Sequence, residues 1–103
     1  MIIAIDYDGT FDALPDMFTQ LIEDYNHLAD FMIVTCRNPA DPIPDDITAT
    51  LSGPSIPDPI PIIYTDGQAK RPYLYKLGYD TSDIIWIDNE PEFIIVTKRE
   101  PGA

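Results

Sequence analysis

"IIAIDYDGT", residues 2–10, runs four apolar residues into two aspartates one position apart, then a glycine and a threonine. An uninterrupted apolar run of that length reads as a strand buried on both faces, the habit of parallel sheets covered by helices. The carboxylates of Asp6 and Asp8 then fall where the strand ends. Like charges so close repel, and burial penalises both, so either the pair is solvated or a cation and a reaction are expected there.

Three further runs repeat the pattern: "FMIV" at 31–34, "PIIY" at 61–64 and "IIWI" at 84–87. Between the first two strands, Leu14, Met17, Phe18, Leu21, Ile22, Tyr25 and Leu28 recur at helical spacing, which predicts a helix over 14–28 with Asp12 or Pro15 near its start. "QAKRPYLYKLG" predicts a second helix beginning near Lys70 or Arg71, because Pro72 is tolerated only in a first turn and Gly78 supplies a stop. The stretch 38–61 holds Pro39, Pro42, Pro44, Pro54, Pro57, Pro59 and Pro61, seven of the eleven prolines. It reads as a stiff surface crossover with one short helix at 45–51. After Asp88, "PEFIIVT" predicts a turn of helix and a fifth short strand, followed by a frayed "KREPGA" tail. The pattern is α/β: a mostly parallel sheet of about four to five strands.

At 103 residues the chain is expected to form one domain, 1–103, burying roughly 60–70% of the surface its unfolded form exposes. Its formal charge is −12, and Arg37, Lys70, Arg71, Lys76, Lys98 and Arg99 are the six basic residues. Such a surface repels phosphate backbones and anionic lipid, so neither nonspecific nucleic-acid coating nor membrane attachment is expected. The lone Cys36 excludes an internal disulfide and suits a reducing compartment. No signal peptide precedes the first strand, and no apolar run approaches about 18–20 residues, so a soluble, cytoplasmic protein is expected. Oligomeric state is not legible, and a homo-oligomer is compatible with this composition.

The polar residues that end the strands carry the functional inference. Asp6, Thr35, the loop before Lys70, and Asp88 all fall at strand ends, and in an open parallel sheet these ends share the edge where ligands bind. Carboxylates of Asp6 and Asp88 suit Mg²⁺, which takes octahedral oxygen donors completed by water and phosphate. A carboxylate can also attack phosphorus, a role for Asp6; Asp8, two residues on, can serve as general acid and base. Thr35 and Lys70 can donate to phosphoryl oxygens. Taken singly, Thr35 is a good strand residue, Lys70 a solvated helix residue and Asp88 a helix cap, and only the arrangement lifts them above those roles. Arg37 is read either as a surface salt bridge or as a phosphate contact. Cys36 reads as a small buried residue and His27 as structural. An EF-hand is excluded, because Phe11 stands where its loop needs glycine and Met17 where it needs glutamate.

"DYDGT" at 6–10, Thr35 ending "FMIVT", Lys70, and Asp88 after "IIWI" together resemble, in order, the four motifs of the haloacid dehalogenase-like hydrolase superfamily. The resemblance spans residues 2 to about 95. It implies a three-layer Rossmann-like fold, an Asp6 nucleophile that forms an aspartyl-phosphate, and Asp8 as acid and base. It further implies Thr35 and Lys70 as catalytic partners and Mg²⁺ held by Asp6, Asp8, Asp88 and Asn89, with Thr10 and, from the residue reading above, Arg37 as the candidate substrate contacts. Neither usual position has room for a cap domain, so a capless member is implied. The fourth motif departs from the pattern: "DNEPE" puts Asn89 where a second acid is common, leaving Asn89, Glu90 or Glu92 for the metal's water shell. The expected activity is hydrolysis of a phosphomonoester, whether a phosphorylated small molecule or a macromolecular phosphate ester. A phospho-acceptor regulatory domain and a non-catalytic acidic binding module are the alternatives.

Overall fold

The computed structural model describes residues 1–98. Four strands, β1 (Ile2–Ile5), β2 (Asp30–Thr35), β3 (Ile62–Tyr64) and β4 (Ile84–Ile87), form one sheet in the order β3-β2-β1-β4. Every pairing is parallel. The helices are α1 (Pro15–Tyr25), α2 (Asp45–Thr50) and α3 (Lys70–Lys76), with a wide π-type turn at Tyr7–Phe11 and a 3₁₀ turn at Pro91–Ile94. Among the described residues, no helix is long and apolar enough to cross a membrane.

Alternating side chains of the central strands enter two separate clusters. Ile5, Phe31 and Ile33 pack with Phe18 and Ile22 of α1 and with Ile43, Leu51 and Ile56 of the proline-rich crossover. Ala4, Met32 and Val34 pack with Leu74 of α3, against the partly buried Tyr79 and Trp86. A strand buried on both faces has no room for polar residues, which is why these runs are uninterrupted.

Local chemistry accounts for the boundaries. α1 ends at Tyr25 rather than 28, because the Asn26 amide donates to the carbonyls of Ile22 and Glu23 at 3.0 Å each and closes the last turn. β3 starts at Ile62, since Pro61 has no N–H to give the ladder, although its carbonyl still accepts from Ile33 N at 2.9 Å. α3 starts at Lys70 as the sequence predicts, and the left-handed Gly78 (φ 95°) lets Tyr79 N return to Leu74 O at 3.1 Å. The expected fifth strand is absent among the described residues. Instead, the chain after the 3₁₀ turn folds back over the loop before α3, where Thr97 Oγ1 accepts from Ala69 N at 3.3 Å and Lys98 N donates to Gly67 O at 2.7 Å. Lys98, expected in a frayed tail, is thereby anchored; the rest of that tail, 99–103, lies outside the described residues.

Candidate active site

Register brings the key acids to one level. Ile5 of the central strand pairs with Ile33 on one side and Ile87 on the other, so Asp6 and Asp88 leave the sheet side by side. The turn after Asp6 is pinned from beneath: Tyr7 and Phe11 are buried, and Phe11 stacks between Tyr7 and Phe18 with centroids 6.2 and 5.8 Å away. Phe11 N donates to Asp6 O, and Asp12 N to Tyr7 O, both at 3.1 Å.

Lys70 reaches into this edge from the first turn of α3. Its ammonium, 2% exposed, donates to Asp6 Oδ1 and Asp88 Oδ2 at 2.7 Å each. One cation between two carboxylates leaves the trio with a net negative charge in a partly dry setting. Burial accordingly raises the Asp6 carboxyl above its ordinary 3.8 despite the opposing pull of Lys70, and Asp88 adds to the rise. For Lys70, burial pushes downward, but the hydrogen bonds to Asp6 and Asp88 outweigh it and the net shift is upward.

The second oxygen of Asp6 faces neutral donors. Thr10 Oγ1 donates to Oδ2 at 3.4 Å. The Asn89 amide is assigned with its nitrogen inward, where it donates to Asp6 Oδ2 at 2.8 Å, the Asp8 main-chain oxygen at 3.1 Å and Thr10 Oγ1 at 3.2 Å. Asn89 N also donates to Thr10 Oγ1 at 3.2 Å, and Glu90 N to Asp88 Oδ1 at 2.9 Å. Gly9, at φ 79°, makes space for this amide: a Cβ there would collide with the Asn89 side chain. Gly9→Ala should therefore lose about 2 kcal/mol or more, from left-handed strain of about 1–2 kcal/mol plus the collision. Urea denaturation reads this, and a loss under about 0.5 kcal/mol would show that the amide is not fixed there.

Asp8 and Thr35 are engaged elsewhere. Arg37 donates to Asp8 from Nη2 at 2.8 Å and from Nε at 2.9 Å, and these bonds hold the guanidinium's pKa above its ordinary value. Thr35 is fully buried at the end of β2, and its hydroxyl accepts from Arg37 N at 3.2 Å, so it shapes the turn that carries Arg37. A small inner pocket of about 40 Å³ opens between Asp6, Asp8, Lys70, Asp88, Glu90 and Lys98. That is room for roughly three water-sized groups, the scale of a phosphoryl head. It adjoins an outer cavity of about 530 Å³ lined by Asp8, Arg37, Asn38, Asp41 and Lys98. Another hollow, of about 340 Å³, lies between Ile2, Phe31, Pro59 and Tyr79. It begins at the strand starts and holds none of these groups.

The donor set fits a small, hard cation. The inner pocket is bordered by four carboxylates against two ammoniums, a net charge of two minus. Among the described residues, no three acidic, histidine or cysteine side chains stand close enough to hold a metal ion by themselves, so a cation would draw on Asp6, Asp88 and neutral oxygens. The Asn89 amide atom sits 2.8–3.2 Å from three oxygens. Turned over, the amide would put its own oxygen among those three, an arrangement that a cation could offset. Sequence reasoning places Asn89 in the metal's water shell but does not find its contacts with the first motif, nor Lys98 at the pocket wall. No local pattern marks either, because both contacts join segments far apart in the chain. No family model, curated protein or solved structure matches this chain.

Proposed function

We propose that this chain is a Mg²⁺-dependent phosphomonoester hydrolase of the haloacid dehalogenase-like type: a single capless domain of three layers, working in the cytoplasm on a phosphorylated small molecule or macromolecule. One observation carries the proposal. Asp6, at the end of the central strand, is held at one oxygen by a buried lysine shared with Asp88 and at the other by neutral donors, with Asp8 two residues away.

In the proposed reaction, an Asp6 oxygen attacks phosphorus and the bond from phosphorus to the ester oxygen breaks. Asp8 gives its proton to the departing oxygen. Water then attacks the aspartyl-phosphate, Asp8 takes the proton, and the bond to Asp6 breaks, releasing inorganic phosphate. Lys70 keeps Asp6 ionised and aimed, and its charge offsets that gathering on the phosphoryl oxygens. Mg²⁺, held by Asp6, Asp88, the Asp8 main-chain oxygen and Asn89, would neutralise the phosphate during attack.

The test is release of phosphate from p-nitrophenyl phosphate and a panel of natural monoesters, with and without Mg²⁺. Metal-dependent turnover is expected, and a folded protein inert on every ester would overturn the proposal. Asp8→Asn should lower kcat/KM for alkyl esters about 10²- to 10⁴-fold, the usual worth of a general acid, and that for p-nitrophenyl phosphate less, since its leaving group needs little protonation in the first step. Equal activity of Asp8→Asn on alkyl esters would remove Asp8 from the chemistry. A non-catalytic acidic binding domain is the second reading, favoured by the Asn89 amide, which can satisfy Asp6 in place of a cation.

A further inference from the structure

The acid assigned to the proposed reaction is tied up. Two nitrogens of Arg37 grip the two oxygens of Asp8 at 2.8 and 2.9 Å. The guanidinium also lies 5.0 Å over the Tyr7 ring, and its Nη1 donates to Pro42 O at 3.1 Å. A carboxylate in such a fork has both oxygens engaged as acceptors and turned away from the inner pocket's ester oxygen. Asp8 must leave the fork before it can protonate a leaving group.

The position of the fork says what can open it. Asp8 borders both the inner pocket and the outer cavity, whereas Arg37 borders only the outer one, together with Lys98. With a phosphoryl group on Asp6, the rest of the ester would extend into that outer space. A carboxylate or a phosphate matches the planar guanidinium in the same two-pronged way as Asp8 does. Lys98, held in place by its main-chain bond to Gly67, supplies a second cation there, with Glu90 3.9 Å from its ammonium. Asp41, 3.9 Å from Arg37, is 82% exposed and leaves the fork itself to Asp8. Two of only six basic residues in the whole chain thus border one cavity.

Resting on the hydrolase reading, we propose that the substrate is a phosphomonoester whose leaving portion carries a second anionic group, a carboxylate or another phosphate. That group takes the Arg37 fork from Asp8. Freed, the Asp8 side chain can turn toward the ester oxygen and take up its part in the proposed reaction. The exchange ties the acid's release to occupation of the outer cavity by a matching substrate.

Two esters that differ in one group test this: 3-phosphoglycerate has a carboxylate where glycerol 3-phosphate has a hydroxymethyl. With Mg²⁺, kcat/KM is expected to favour 3-phosphoglycerate by at least about tenfold, the worth of one charge-assisted contact. The ratio should fall below about threefold in Arg37→Gln and part of the way in Lys98→Ala. Turnover of both esters at equal kcat/KM would overturn the exchange and leave the hydrolase standing. The second measurement needs no turnover. In Asp6→Asn, NMR titration with 3-phosphoglycerate should shift the Asp8 carboxyl carbon and the Arg37 Nε resonance, and glycerol 3-phosphate should shift neither. The same response to both esters, or none to either, overturns the exchange, whereas absence of hydrolysis by the unmodified protein on all esters counts against the hydrolase alone.

Discussion

In the proposed hydrolase, Asp6→Asn should abolish phosphate release, by at least about 10⁴-fold, and at the same time make the protein more stable. The loss of rate comes from removing the attacking group. The gain comes from the charge balance at the strand ends. Lys70 is shared by two carboxylates, and burial raises the Asp6 carboxyl above its ordinary value, so the ionised form is held at a cost. An asparagine leaves one ammonium facing one carboxylate, and Asn89 can turn its amide oxygen to meet the new side chain. A gain of about 0.5–2 kcal/mol is expected, about 4–8 °C in Tm per kcal/mol for a domain of this size. The pH dependence has a definite sign. A carboxyl whose pKa is raised on folding holds its proton more tightly in the native state, so its penalty is complete above the native pKa and fades as pH falls toward 3.8, the ordinary value. The Tm advantage of Asp6→Asn should therefore be largest near neutrality and vanish by about pH 4. A variant less stable than the parent at pH 7 would mean that the ion pair with Lys70 outweighs the burial.

Lys70→Met should have the largest effect on folding. The side chain is 2% exposed and is the shared partner of Asp6 and Asp88. Deleting one member of a buried ion pair typically loses about 3–5 kcal/mol, because the remaining charge stays buried without compensation. Against a total stability of about 5–15 kcal/mol, that lowers Tm by more than about 12 °C. Turnover should fall with it, beyond what unfolding explains, because the donor to Asp6 is gone. The triple variant Lys70→Met, Asp6→Asn, Asp88→Asn separates packing from charge. Recovery of more than half the lost Tm is expected, and no recovery would show that Lys70 acts through its packed methylenes and not through its charge.

The strands were legible because β1, β4 and residues 31–34 of β2 are uninterrupted apolar runs, and the polar residues ending them were legible as departures from those runs. The start of α3 was readable from Pro72 and its stop from Gly78. The absent fifth strand had the opposite cause. "FIIVT" has the β-branched composition of a strand, yet the bonds of Thr97 and Lys98 to the loop at 67–69 draw the segment away from the sheet, an outcome that local propensity does not encode. The Asn26 cap that shortens α1 is written in the chain but lies beneath the stronger apolar period. Within the site, the positions of Asp6, Lys70 and Asp88 at strand and helix ends were readable. The grip of Arg37 on Asp8 and of Asn89 on Asp6 was not, because each depends on how side chains 29 and 83 positions apart meet in three dimensions.

The strand order has a consequence for how the molecule is made. β1 lies between β2 and β4, and β4 follows it by about eighty residues, so β1 waits through the synthesis of β2 and β3 before its second edge is covered. Until Ile84–Ile87 is in place, "IIAI" presents an open row of amides and carbonyls beside apolar side chains, the kind of edge that recruits other chains. β4 is thus a guard as well as a wall. A chain cut short before residue 84 would lose Asp88 and uncover one edge of β1 in the same stroke, so loss of the site and exposure of an aggregation-prone edge go together.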